Sequence, residues 1–350
     1  MSDSYEASSP DAGGRGLSRR SLLTAAALGL PAAVAFGTAL GPAAPASATT
    51  AGSAQFITLT NGAWSGVLTF SNVPPTARPI GGYGLFLDGT TLWYGDTVHA
   101  TGVTSARGNR NDVWDFFSYV QNGVATSVRG SNGTVSDIKT WPQVPATAVP
   151  VGAFGAFLDN GDLWYFGSIV ATGVTQATGL SGAVGKAAPG AWTDWIGFFD
   201  NAARTFKGVN GTPAQWKGWF NVPASAQITR MPGQWLDGNG DLWFGNLRRA
   251  YNVLSASGTL TDDPNWAIGS YVANGKAYKD ATSYMVRGDL ANNPALFPSV
   301  PKTARPIGAL GVFLDGTNLW SRRSIIATNV VAAVGDSILS TDHISLVTSA

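Results

Sequence analysis

The chain has 350 residues, including 44 glycines, 13 tryptophans and no cysteine, and its formal net charge at pH 7 is +1. This length allows a large core. The near balance of 22 basic and 21 acidic residues excludes the basic footprint of a protein that binds nucleic acid or an anionic membrane. Without cysteine, disulfides and thiolate metal sites are excluded as well. The abundance of glycine, threonine and aromatic residues favours a β-rich fold.

Residues 1–48 have the pattern of an export signal. The pair Arg19-Arg20 precedes an apolar run over residues 22–40, and Ala46-Ser47-Ala48 fits a signal-peptidase site. The arginine pair resembles the bacterial twin-arginine signal. An ordinary secretory signal and an uncleaved anchor are the alternatives. We therefore predict cleavage near Ala48, and a secreted mature chain over residues 49–350 that forms one domain without a membrane span.

One phrase recurs four times in the mature chain. It consists of a glycine, a short apolar run that ends in aspartate, a turn and then Leu-Trp, as in residues 155–164. The recurring aspartates and tryptophans are Asp88, Asp159, Asp237 and Asp315, followed by Trp93, Trp164, Trp243 and Trp320. The period is 71 to 78 residues. A fixed period of this kind indicates one structural unit stacked on copies of itself.

Each repeat contains two predicted hairpins. The first is the recurring phrase, in which two β-prone runs flank an Asp-Gly or Asn-Gly turn. The second is weaker and turns at Asn122-Gly123, Asp200-Asn201 and Asn274-Gly275 in the first three repeats. The chain is therefore predicted to be all-β, with about eight hairpin modules of two alternating kinds.

The two ends of the mature chain complement each other. Residues 342–347 match the first strand of the second hairpin, and residues 55–62 match its second strand. A linear solenoid needs capping repeats, whereas a closed ring needs its termini to complete a shared unit. We therefore predict a closed β-propeller-like ring in which the N- and C-terminal strands pair. The number of blades stays open between four large units and about eight small ones.

The phrase at residues 152–167 resembles the repeat of regulator-of-chromosome-condensation type propellers, over about fifteen residues in each period. The family's Gly-Gln-Leu-Gly segment is absent, so the resemblance implies a propeller but not nucleotide exchange. Asp159-Asn160-Gly161-Asp162-Leu163-Trp164 also resembles the Asp-box hairpin of sialidases. That hairpin is structural in sialidases, and neither resemblance transfers a catalytic residue.

The repeated residues are interpreted as structural. A chemical site needs one asymmetric constellation, which evenly recurring aspartates and tryptophans do not provide. We predict that the tryptophans pack between neighbouring units and that the aspartates cap turns. Stacking on sugars is the functional alternative for the tryptophans. His99 is interpreted as a packed residue, because the other repeats carry mostly apolar residues in its place.

The third repeat departs most from the pattern, and its departures are the predicted ligand-binding residues. Arginine, glutamine and aromatic side chains offer forked donors and flat faces to a sugar or an acidic ligand. The residues are Arg230, Gln234, Trp235, Arg248, Arg249 and Tyr251. No serine elbow and no histidine- or cysteine-rich metal spacing occurs, so no catalytic residue, metal or cofactor is predicted.

These observations favour a secreted bacterial binding protein, most plausibly a lectin-like module for glycans or cell-surface polymers. Repetition would add avidity. A glycan-active hydrolase or lyase is the first alternative; it would need two aspartates in the mouth of the channel, because the only glutamate is Glu6 in the leader. A scaffold for protein partners is the second, with Arg248, Arg249, Arg322 and Arg323 at rims. The oligomeric state is left open.

Overall fold

The structure is a computed structural model that describes residues 52–111, 113–183, 192–260, 267–282, 295–338 and 341–349. The predicted export signal lies outside these residues, so its cleavage and the secreted location stay predictions. The described residues form 32 strands in eight four-stranded antiparallel sheets. The fold is therefore an eight-bladed β-propeller, and each sequence repeat supplies one small blade and one large blade.

The recurring phrase forms the small blades, whose strands have two to four residues. In each blade the first strand lies nearest the ring axis and the last lies outermost. The small blades are β3 (Arg78–Pro79), β4 (Leu85–Asp88), β5 (Thr91–Tyr94) and β6 (Thr97–Ala100); β11 (Val149–Pro150), β12 (Ala156–Asp159), β13 (Asp162–Tyr165) and β14 (Ser168–Ala171); β19 (Gln227–Ile228), β20 (Gln234–Leu236), β21 (Leu242–Phe244) and β22 (Leu247–Ala250); and β27 (Arg305–Pro306), β28 (Val312–Asp315), β29 (Asn318–Ser321) and β30 (Ser324–Ala327).

The second hairpin lies at the centre of each large blade. The first three large blades are β7 (Val103–Asn111), β8 (Trp114–Gln121), β9 (Val124–Ser131) and β10 (Thr134–Trp141); β15 (Gln176–Ala183), β16 (Trp192–Phe199), β17 (Ala203–Val209) and β18 (Thr212–Trp219); and β23 (Val253–Leu260), β24 (Ala267–Ala273), β25 (Lys276–Thr282) and β26 (Ala295–Phe297). The fourth combines β31 (Val330–Ile338) and β32 (Thr341–Thr348) with β1 (Ala54–Thr60) and β2 (Ala63–Phe70), in the order β2-β1-β32-β31.

The predicted closure by the chain ends is confirmed. β1 pairs antiparallel with β32 in a register that places Gln55 opposite Leu346 and Thr60 opposite Thr341. The edge strands that a linear array would expose are thereby paired within one blade, which removes them as sites of aggregation. The blade count, which the sequence left open, is eight because both hairpins of each repeat gain a strand on either side.

The hairpin turns follow from Asn-Gly pairs in the left-handed region. Asn122 has φ 49° and Gly123 has φ 83°, and Asn132 and Gly133 have 48° and 84°. Asparagine tolerates this conformation and glycine adopts it without a steric penalty, so the pair forms the tight turn whose twist matches that of the flanking strands.

Four long strands surround the axis. β7, β15, β23 and β31 each contact the next one around the ring, and the short inner strands of the small blades are wedged between them. Hydrogen bonds join the two kinds of blade here, since the amides of Gly108, Gly179 and Gly335 donate to carbonyls at the ends of the preceding small-blade strands. Large apolar side chains fill the space between the blades. Phe86, Phe117 and Phe313 are completely buried there, and each contributes about 1.5–3 kcal/mol.

In the part of the chain that the structure describes, we find no helix that is both long enough and apolar enough to cross a membrane.

Candidate functional site

The first groove is a cavity between the fourth large blade and the two blades of the first repeat. Its volume is about 440 Å³. The residues that line it, which define the first groove below, are Phe56, Thr58, Gly66, Val67, Leu68, Tyr83, Arg110, Asn132 and His343. Because β1 and β2 belong to the blade that closes the ring, this groove exists only once the chain ends have paired.

Arg110 forms the polar end of the first groove, and it is only 5% exposed. Its Nη1 donates to Oδ1 of Asp115 at 3.0 Å, and its Nη2 donates to Oδ1 of Asn132 at 2.8 Å. The guanidinium also lies 5.6 Å from the ring centre of Phe56 and 5.3 Å from that of Tyr83. A desolvated cation over aromatic faces is favourable. The ion pair and both rings therefore fix Arg110 in one position.

Asp115 is fully buried beneath the arginine and supplies its counter-charge. Its carboxylate also accepts hydrogen bonds from the Tyr94 hydroxyl at 2.6 Å and from the Tyr83 amide at 2.8 Å. Burial raises the pKa of Asp115, and Arg110 and these hydrogen bonds oppose the rise. The positive charge at the end of the first groove is thus already balanced within the protein.

The other repeats show why this site is unusual. The structural position of Arg110 is held by Ser181 in the second repeat and by Ser337 in the fourth. Each serine donates its hydroxyl to the aspartate equivalent to Asp115, namely Asp194 at 2.6 Å and Asp342 at 2.5 Å. The buried aspartate is therefore part of the frame, and the arginine is specific to the first repeat. The sequence carries this signal, because an arginine aligns there with two serines, but we predicted binding residues only from the departures of the third repeat.

His343 also packs against Phe56. The two rings are stacked, with 5.8 Å between their centres and 10° between their planes. Burial, and then the charge of Arg110, lower the pKa of His343 to about 3. The imidazole is therefore neutral at neutral pH. Its Nδ1 is buried without a hydrogen-bond partner, so it could bond to a group that enters the first groove.

The apolar wall of the first groove comes from β2. Val67 and Leu68 are both exposed, and Leu68 is two residues before the end of its strand. The corresponding residues of β10 and β18 are Lys139 and Lys217. Lys139 places its Nζ 5.0 Å from the ring centre of Trp192, and Lys217 places its Nζ 5.8 Å from that of Trp219. Cations therefore cover aromatic faces at these positions, whereas Leu68 presents an apolar surface.

The structure does not bring the predicted ligand-binding residues of the third repeat together. Gln234 and Trp235 are completely buried within their blade. Arg230 points to the ring axis, where it pairs with Asp336. Arg248 stays at the outer strand of the blade, paired with Asp241 at 2.9 Å. Arg249 is on the same strand. The exposed Tyr251 comes directly after the end of this strand, and its ring centre lies 4.5 Å from the Arg248 guanidinium. The six residues therefore do not form one surface, because they are distributed over the ring axis, the interior of the blade and its outer strand.

The repeated tryptophans lie half-buried between blades. Trp93, Trp164, Trp243 and Trp320 each pack against a different apolar cluster. In the cluster that contains Trp93, Phe70 and Phe86 also meet across neighbouring blades, with 5.8 Å between their ring centres.

The repeated aspartates bond in two ways. Asp88, Asp159 and Asp315 accept the hydroxyls of the threonines twelve residues earlier, at 2.6 to 2.8 Å, so their carboxylates tie the hairpin to the Val-Pro turn. Asp237 instead accepts the amides of Asn239 and Asp241, both at 2.9 Å. The local turn cap that we expected of all four aspartates thus occurs at Asp237, whereas the other three bond to the preceding turn. The turn at Asp237 is one residue longer than the others, which lets these amides reach back to the carboxylate.

The remaining residues considered in the sequence are structural or isolated. His99 packs edge-on against Phe117 and Tyr119, at 5.2 and 5.6 Å. Among tryptophans outside the phrase, Trp141 and Trp219 are buried and Trp216 is 48% exposed; Trp266 lies outside the described residues. Within the described residues no three histidine, aspartate or glutamate side chains are grouped as a metal site.

No family model matches this chain, and no curated protein matches it. The resemblance to regulator-of-chromosome-condensation repeats is therefore not supported by a family match, although its implication of a propeller holds. Among solved structures, the chain is similar to SapL1 lectin, solved with alpha methyl fucoside, at 14% identity and a TM-score of 0.34, covering 79% of this chain and 95% of that one. It is also similar to a triple arginine-to-alanine mutant of AofleA from Arthrobotrys oligospora, at 11% identity and a TM-score of 0.30, covering 73% and 81%.

Proposed function

We propose that this protein is a secreted carbohydrate-binding propeller and that the first groove binds one unit of an uncharged glycan. The observation that carries the proposal is the buried, charge-balanced Arg110 at the polar end of a cavity whose opposite wall is apolar. The volume of about 440 Å³ lies within the range of small-molecule sites.

The lining of the first groove has the two-sided character of a sugar. One side is apolar and consists of Val67, Leu68 and the Phe56 ring, which suits the C–H face of a pyranose. The other side offers N–H donors of Arg110 and the unpartnered Nδ1 of His343. These groups suit hydroxyls, which both donate and accept hydrogen bonds.

The charge balance favours a neutral ligand. An arginine without a counter-charge would attract carboxylate or phosphate, whereas Arg110 already bonds to Asp115 at 3.0 Å. A ligand carboxylate would compete with Asp115 and leave that buried group unpaired, which is costly. Neutral hydroxyls can use the free N–H donors without breaking the ion pair.

The experiment is a glycan array followed by calorimetric titration of the best neutral saccharide against two matched variants. Gly66→Trp fills the first groove, because Gly66 lines it, a Cβ added there meets no atom within 4 Å, and its backbone is not left-handed. Gly238→Trp adds the same bulk at another open, exposed glycine outside the groove. We expect the first variant to abolish binding and the second to bind like the parent protein. An array without neutral glycan hits, or equal binding by both variants, would refute the proposal.

A further inference from the structure

A second cavity, of about 510 Å³, lies at the axis of the ring and is called the axial cavity below. Seven of the eight blades contribute to its lining, including all four long inner strands. The lining contains the four arginines Arg78, Arg107, Arg230 and Arg305, and no described residue among it carries a carboxylate. The aspartate pair that a hydrolase would need in the channel mouth is therefore absent from this lining.

Two of these arginines come from the same short phrase. Arg78-Pro79-Ile80-Gly81 in the first repeat recurs as residues 305–308 in the fourth, while the second and third repeats carry Val149 and Gln227 at the arginine position. The first and fourth repeats are adjacent around the closed ring. Arg78 and Arg305 are both exposed, and neither forms one of the ion pairs found among the described residues.

The other two arginines are fixed by bonds across the axis. Arg230 replaces the glycine that the other repeats have at this position, and its side chain reaches the Gly335 carbonyl and, at 2.8 Å, the Asp336 carboxylate of the fourth large blade. Arg107 donates to the Thr178 hydroxyl at 2.8 Å, and that hydroxyl donates to the Arg230 carbonyl at 2.9 Å. Hydrogen bonds through Thr178 and Arg230 thus connect Arg107 of the first repeat to the closing blade.

These two cations lie close together. Burial, and then the charge of Arg230, lower the pKa of Arg107 to about 10, and Asp336 opposes the shift. The Arg107 guanidinium is therefore still charged at neutral pH. Only Asp336, paired with Arg230, offsets the four arginines of the axial cavity among the described residues. Like charges gathered with so little compensation repel one another, and a bound anion would relieve the repulsion.

We propose that the axial cavity binds a small ligand with two or more oxyanion groups, such as phosphate, sulfate ester or carboxylate. Guanidinium groups bind such oxygens with paired, charge-assisted hydrogen bonds. Arg107 and Arg230 are held rigid at the cavity wall, and the exposed Arg78 and Arg305 converge from adjacent repeats. The volume of the axial cavity admits either a free inorganic anion or an acidic saccharide of up to about two units. This site is separate from the first groove and does not depend on it.

The test is calorimetric titration with two probes, inorganic pyrophosphate and a galacturonic acid disaccharide, with sodium chloride added to keep the ionic strength constant. The double variant Arg78→Gln, Arg305→Gln removes the two exposed charges. The control pair Lys302→Gln, Arg323→Gln removes two exposed charges that do not line the cavity. If the first groove binds a neutral glycan, retention of that binding shows that both variants are folded. If it does not, thermal unfolding of both variants shows it.

We expect at least one probe to bind the parent protein and the control pair equally, and the double variant to bind it roughly a hundredfold more weakly, since two charged contacts are lost. Tighter binding of pyrophosphate identifies a free anion, and tighter binding of the disaccharide identifies an acidic saccharide. Failure of both probes to bind at millimolar concentration would overturn the proposal. So would equal affinities of the double variant and the control pair. Neither result bears on the first groove.

Discussion

The first groove and the axial cavity both place arginines in a cavity of similar size, but they treat the charge differently. In the first groove Arg110 is paired with a fully buried aspartate and packed between two aromatic rings. The axial cavity is lined by four arginines, and among the described residues only Arg230 of these four pairs with a carboxylate, that of Asp336 outside the lining. We therefore expect the counter-charge, more than the arginine itself, to decide the class of ligand. A neutralised guanidinium offers donors to hydroxyls, whereas an uncompensated cluster selects anions.

The largest effect is expected when the ion pair between Arg110 and Asp115 is broken. Arg110→Ala leaves Asp115 buried without its cation, which should lower the free energy of unfolding by about 3–5 kcal/mol. Arg110→Ser should cost much less, because Ser181 serves the equivalent Asp194 in the second repeat at 2.6 Å. Urea unfolding of both variants measures the difference. Equal destabilisation would show that the ion pair is not what the position requires.

Asp194 is the equivalent of Asp115 in the second repeat, where a serine takes the place of the arginine. Burial raises its pKa to about 7 from 3.8. The folded state then binds more protons than the unfolded state between these values, so stability should fall as pH rises from about 4 to about 7 and then level off. The fall should be at most about 4 kcal/mol. In Asp194→Asn, the denaturant midpoint of unfolding should depend less on pH across this range. An unchanged slope in that variant would assign the pH dependence to other groups.

A smaller effect is expected from the imidazole in the first groove. His343→Phe introduces the residue found at the equivalent position 116 and keeps a ring against Phe56, but it removes Nδ1. If Nδ1 bonds to a sugar hydroxyl, affinity for the neutral glycan should fall about threefold to tenfold while folding is preserved. Calorimetric titration checks this, and an unchanged affinity would remove His343 from the ligand contacts.

The smallest effect concerns the frame that holds both cavities. Thr303→Val removes the 2.6 Å bond to Asp315 at an exposed turn and should cost about 0.5–1.5 kcal/mol of unfolding free energy. The control is Ser225→Ala, which removes the equivalent exposed hydroxyl of the third repeat, where Asp237 bonds to its own turn. The control should therefore change stability less. Thermal unfolding of the two variants checks the order, and a larger loss in the control would show that the bond to Asp315 contributes nothing.

Most of the fold could be predicted from the sequence, because a repeated phrase and matching chain ends are local signals. The Asn-Gly turns, the hairpins and the pairing of β1 with β32 all follow from them. The blade count could not be predicted, since the outer strands, such as β10 and β18, carry weaker patterns than the hairpins.

The candidate site was less predictable for a physical reason. A departure from the repeat shows that a position is special, but not which way its side chain points. Gln234 and Trp235 depart from the repeat and are buried, and Arg230 departs and crosses the axis. Arg110 lies on β7 of the first large blade, and its neighbours Phe56 and His343 come from opposite ends of the chain. Only ring closure brings these residues together.

The most direct test is a crystal structure of the protein with the best-binding neutral saccharide. We predict that a sugar ring lies in the first groove against Leu68, with a hydroxyl within hydrogen-bonding distance of the Arg110 guanidinium and the Arg110–Asp115 pair intact. A saccharide bound elsewhere on the ring, with the first groove empty, would contradict the account. So would a sugar in the groove that displaces Asp115 from Arg110.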